Sequence, residues 1–193
     1  MNLVDPQGDT LKVAAGSSSS FVRNVKTAKS IMRIMGLSEY WIKLENSPQL
    51  FVLQESTGGN SFSYYDQSGG VISWNPHRVG QDDESLVKRS PFTGLGHEMG
   101  HAVDYEEAVT NGQYEEYKQS GHKDENNPYG NSHDEHVIQN HEQVIARGLL
   151  EIGQNQTTRE KHTNTKGYSK SYPNTPALFL WMYTVLYNRL INN

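Results

Sequence analysis

The stretch GLGHEMGHAVDY, residues 94–105, restricts this chain more than any other. His97 and His101 are four residues apart, so on an α-helix they lie one above the other on a single face. Their imidazoles then converge beside the helix, where one metal ion can be shared. Glu98 falls about a quarter-turn away. It is too far round to share that ion with them, but it can touch a water bound to it. This is the division of labour in an HExxH sequence: two ligands and a general base. Gly100 lies inside the motif, at a cost of ~1 kcal/mol relative to alanine in a helix, which implies that something approaches this face closely. Ala102 and Val103 cover the back of the same helix.

A metal held here needs a third protein ligand. The chain has no cysteine, which excludes thiolate sites and disulfides and leaves His, Asp and Glu. In the metzincin pattern a Gly three residues and a His six residues beyond His101 complete the site. Those positions hold Asp104 and Glu107, so that arrangement is rejected. The alternative is a Glu from a following helix. In SHDEHVIQNHEQVIARGLLE, residues 132–151, the candidates are Glu135, Glu142 and Glu151, with His136 and His141 as competitors. Glu135 and Glu142 are seven apart and share a face two turns apart, so only one of them can reach the metal. The other then orients a ligand or binds a core polar group.

Around this helix the chain reads as helix, strands, then helices. Residues 1–20 look like a flexible lead-in, with a turn at Pro6 and Gly8 and the small polar run AAGSSSS. Phe21, Val25, Ala28, Ile31, Met32 and Met35 recur at steps of three and four, predicting an amphipathic helix that Gly36 stops. Residues 49–56, 61–67 and 70–76 are rich in β-branched and aromatic side chains and are punctuated by glycines, predicting three short antiparallel strands. A polar connection follows, and Pro91 opens the HExxH helix. Beyond it come a loop, a helix from about Asp134 to Ile152, a second polar loop and a terminal helix from Thr175-Pro176. The expectation is an α+β fold: a small antiparallel sheet packed with the HExxH helix and two further C-terminal helices, zincin-like, over residues 21–193.

Charge and hydropathy narrow the partners. The formal charge of -5 and the lack of a basic block exclude nucleic acid. No apolar run reaches the ~20 residues of a membrane span. The longest, Ala177 to Tyr187, reads as a buried helix. A monomer acting on a polypeptide is the expectation. The strand GVISWN precedes the HExxH helix, and Val71 to Trp74 are expected to bind substrate backbone by β-addition.

These motifs carry resemblances. LGHEMGHAVDY, followed some thirty residues later by Glu135, Glu142, Arg147, Gly153 and Arg159, resembles the effector-type zinc metallopeptidases related to NleD. Gln143 stands where that pattern has Asn. The resemblance covers roughly residues 20–170. It implies Zn2+ held by His97, His101 and Glu135, with Glu98 as catalytic base. HEMGHAVDY is also similar to the HEFGHAVD segment of lethal-factor-type proteases. That similarity implies Tyr129, in PYGNSHDE, as a hydrogen-bond donor to the developing oxyanion, with Tyr168 as a rival. Finally, NLVDPQGD is similar to the signature that closes the core of RHS-repeat proteins. This implies a protease payload of a larger exported bacterial polypeptide, an effector or toxin domain. The alternative is a non-catalytic metal-binding or interaction module of an exported protein.

Overall fold

The computed structural model of the protein describes residues 10–82, 88–161 and 165–169. The RHS-like signature, the terminal helix expected from Thr175 and the side chain of Tyr168 lie outside the described residues. The fold is mixed α+β, with a small four-stranded sheet packed against helices.

The expected lead-in is partly structured. Leu11–Val13 form β1, and Ser18 caps α1 (Ser19–Ile34) by accepting from the Phe21 amide at 3.1 Å. Three residues are too few for β1 to display an alternating pattern. The expected apolar stripe of α1 is its buried face, from Phe21 through Met32. Leu37 N–H bonds back to Met32 O at 2.7 Å and ends the helix with a Schellman turn. The short α2 (Glu39–Glu45) follows, burying Tyr40, Trp41 and Leu44.

The three strands exist as β2 (Leu50–Glu55), β3 (Ser61–Tyr64) and β4 (Gly69–Trp74), but they are not an antiparallel trio. The sheet order is β1-β2-β4-β3. β1 and β2 pair in parallel, as do β2 and β4, and only β3 runs antiparallel to β4. The expected antiparallel sheet is therefore corrected to a mixed one. Glycine-rich turns mark where strands end, not which strands become neighbours. β4 supplies the fully buried Ile72 and Trp74, and an interior place in the sheet covers it best. The strand expected to bind substrate is thus paired on both sides, and the edge belongs to β3.

The polar connection before the HExxH helix also contains structure. β5 (Arg78–Asp82), β6 (Lys88–Arg89) and β7 (Thr165–Ser169) form a second, antiparallel sheet in the order β6-β5-β7. α3 (Pro91–Thr110) carries the motif, with Pro91 in its first turn and the Ser90 side chain accepting from the Phe92 and Thr93 amides. It packs against both sheets and the later helices. Trp74 Nε1 donates to Pro91 O at 2.8 Å, tying β4 to its start. α4 (Tyr114–Ser120) follows.

The helix expected from Asp134 to Ile152 is shorter and broken. It runs as α5 (Ser132–Val137), a π-helical turn at Ile138–Glu142, and α6 (Gln143–Gly148). Among the described residues, no helix is long and apolar enough to cross a membrane.

Candidate metal centre

α3 is buried along most of its length because small residues let its neighbours in. A Cβ on Gly96 would lie 2.3 Å from Ile145 Cδ1, and one on Gly100 would lie 2.7 Å from His141 Cβ. The two glycines are four apart and make a flat face onto which the π turn and α6 settle. The close approach implied by Gly100 is thus that of the helix bearing the remaining acids.

Within this packing His97 and His101 meet as expected. Their Nε2 atoms are 3.1 Å apart and their rings are edge-on. The acid that joins them is not Glu135. Asp134 Oδ1 lies 3.3 Å from His101 Nε2 and 4.0 Å from His97 Nε2. Three donors at the corners of a tetrahedral zinc site with bonds of ~2.0–2.1 Å stand about 3.3 Å apart, so this set fits zinc after small adjustments. Asp134 is fixed in place by the N-cap of α5. Asn131 Oδ1 accepts from its amide at 2.6 Å, and Asn131 Nδ2 donates to its Oδ2 at 2.7 Å. The expected placement of Glu135 beside the two histidines is therefore corrected. Its carboxylate accepts from Asn127 Nδ2 at 2.9 Å and from Gln139 Nε2 at 3.2 Å.

The π turn explains the one-residue error. Seven α-helical residues make nearly two turns, which would pair Glu142 with Glu135. A π turn takes in one residue more, so the residue sharing Glu142's face is eight back, Asp134. Both then point at α3. Glu142 Oε2 lies 3.0 Å from His97 Nδ1, on the side away from Asp134. Arg89 and Arg159 donate to its two oxygens at 2.7 and 2.6 Å. Burial pushes the Glu142 carboxyl up, but Arg159 and Arg89 outweigh it and hold it well below its usual range. An ionised carboxylate behind a ligating imidazole fixes the ring's tautomer and raises its basicity. Arg159 also reaches His97 Nδ1 at 3.3 Å.

Both histidines are neutral, as ligation requires. Burial pulls His97 down to about 3 and lowers His101 in the same way. Glu98 is 8% exposed, and burial raises its carboxyl to about 8, against the pull of Arg159. The backbone of Phe62 in β3 hydrogen-bonds to it. One cavity beside Glu98 runs along the β3 edge past Ser61, Phe62, Tyr64 and Tyr117. A second, on its other side, is lined by Arg78, Thr93 and Gly94. His97, Glu98 and Asn60 border both.

Tyr129 is not among the side chains lining either cavity, and its described polar contact is its amide to Asn127 Oδ1 at 2.8 Å. Among the described residues, Tyr64 and Tyr117 are the tyrosines that line the cleft. The competing imidazoles of His136 and His141, together with His133, turn their Nε2 atoms toward Asp104. Glu151 braces the start of α3, accepting from Ser90 N and Thr93 Oγ1. Sequence reasoning missed Asp134, Arg89 and Asn131. An Asn-x-x-Asp pair opening a helix was the available signal for Asp134. No family model, curated protein or solved structure matches this chain.

Proposed function

We propose that the protein is a zinc-dependent metalloendopeptidase. One observation carries this reading: the donor atoms of His97, His101 and Asp134 stand 3.1, 3.3 and 4.0 Å apart, with the buried Glu98 beside them on an open cleft. His97, His101 and Asp134 would hold the zinc ion, which would supply Lewis-acid activation of water and of a substrate carbonyl. The chain supplies the rest. Glu98, whose ionised form the nearby Arg159 favours, takes a proton from water and delivers it to the leaving amine. Glu142 holds His97 in register and is itself pinned by Arg89 and Arg159. The edge of β3 borders the cleft beside Glu98, and an extended polypeptide can add to it as a further antiparallel strand. Substrate addition thus moves from β4 to β3. Tyr117, held protonated by burial, lines the same cavity; its hydroxyl donates to His101 O at 3.3 Å and would turn from that carbonyl to donate to an oxyanion.

The test is cleavage of a diverse peptide mixture by the zinc-loaded protein, read by mass spectrometry beside a sample stripped with chelator. New internal cleavages that vanish on stripping and return with zinc are the expected result. Stoichiometric zinc with no cleavage of any peptide would leave a metal-binding module instead.

A further inference from the structure

We propose that the chain carries a second transition-metal site, formed by Asp104, His136 and His141 and separate from the His97–His101–Asp134 centre. It stands independently of the peptidase reading. Asp104 lies on α3 one turn beyond His101, and three imidazoles are directed at its carboxylate. His141 Nε2 is 2.8 Å from Oδ1, while His133 and His136 Nε2 are 3.4 and 3.7 Å from Oδ2. One donor atom from each of Asp104, His136 and His141 lies within 4.8 Å of the other two.

Hydrogen bonding accounts for only part of this cluster. His141 bonds to Oδ1, but the buried Asp104 Oδ2 and His133 Nε2 have only a long 3.4 Å contact with each other. Buried polar atoms left without good partners cost up to ~1–3 kcal/mol each. A divalent ion drawn to Oδ2 removes that deficit for the carboxylate. Two imidazoles and a carboxylate suit the borderline metals, Zn2+, Co2+ and Ni2+, better than Mg2+ or Ca2+.

The backbone is built to bring these ligands together. Five residues on an α-helix turn through about 500°, leaving His136 and His141 some 140° apart. The π turn between them closes an i→i+5 bond, from Gln143 N–H to Ile138 O, and brings the two rings to 5.7 Å. His141 also has the outer partner that a ligating imidazole needs. Its Nδ1 is 3.2 Å from Tyr40 Oη, whose phenol burial keeps protonated. His136 Nδ1 is 3.2 Å from Asn140 Nδ2, so ion binding requires that amide to turn its oxygen toward the ring. The His136 side chain is 54% exposed, which gives an ion access from solvent and leaves room for water as a further ligand. An ion here would clamp α3 to the same π turn that aligns Asp134 with Glu142.

The test is calorimetric titration of the metal-stripped full chain with Zn2+ and with Co2+, with stoichiometry counted by elemental analysis. Wild type, His136→Asn, Asp104→Asn and His101→Asn are compared, each checked for fold by circular dichroism. The expected result is two ions in wild type. His136→Asn and Asp104→Asn then weaken one by at least ~tenfold, and His101→Asn removes the other. Two ions retained in both His136→Asn and Asp104→Asn would overturn the proposal. A single wild-type ion lost in His101→Asn would overturn it too, while leaving the first centre standing. A single ion lost in His136→Asn but kept in His101→Asn would support this site and remove the other.

Discussion

Asp134 Oδ1 stands 3.3 Å from His101 Nε2, while Glu135, its neighbour in sequence, is hydrogen-bonded to Asn127 and Gln139 outside the centre. One residue of helical phase separates the acid beside the two histidines from one bonded elsewhere. Asp134→Ala should therefore release zinc, by more than the ~10–100-fold that a partner standing behind a ligand is worth. Glu135→Ala should hold zinc as wild type does. Metal content after dialysis against a graded chelator distinguishes the two variants, and the reverse order would return Glu135 to the site.

Glu98 neighbours the two ligands but is assigned the proton, not the metal. Glu98→Gln should keep zinc at wild-type stoichiometry and lower peptide cleavage by ~10²–10⁴-fold, the range that general acid–base groups supply. Elemental analysis and turnover measured on one preparation check both halves. Unchanged turnover would take Glu98 out of the reaction.

Glu142 is enclosed by Arg89, Arg159 and His97, so its charge is part of the fold. Glu142→Gln leaves two buried guanidiniums facing a neutral amide and should cost ~3–5 kcal/mol of stability. Urea unfolding of the metal-free protein measures this without interference from zinc. A loss below ~1 kcal/mol would mean that the arginines are balanced elsewhere.

Gly100 is where α3 receives the π turn. A methyl group there would meet His141 Cβ at 2.7 Å, backed by a helix that cannot move without displacing Ile145 from Gly96. Gly100→Ala should destabilise by ~1–3 kcal/mol despite its better helix propensity. Thermal unfolding beside an exposed control, Gly121→Ala, separates packing from propensity.

Glu151 offers a pH signature away from the metal. Burial raises its carboxyl from 4.5 to about 7, against donors from Ser90 and Thr93. The folded state thus keeps a proton that the unfolded chain releases. Its contribution is fully present below about pH 4.5 and is lost as pH rises through about 7. Subtracting the stability profile of Glu151→Gln from that of wild type should give a difference that moves against wild type across this window. A flat difference would show an ordinary carboxylate.

Much of this was legible along the chain. The stripe on α1, the Pro91 start of α3 and the meeting of His97 with His101 follow from patterns repeating within one or two turns. Strand positions were legible from turn residues, but their neighbours were not. β4 joined β2 in parallel because the chain passes along the far edge as β3 before it enters the interior of the sheet, where Ile72 and Trp74 are buried. β1, β5 and β7 are too short or too polar to announce themselves.

The sequence by itself determined a helix with two imidazoles and a carboxylate in fixed relation, because the i, i+4 geometry is set by hydrogen bonds inside that helix. Which acid completes the centre, and which strand borders it, only the tertiary structure decided. The facing helix had to settle onto Gly96 and Gly100, and its π turn absorbed one residue in doing so. That shift exchanges Glu135 for Asp134 through contacts more than thirty residues apart, which no local period records.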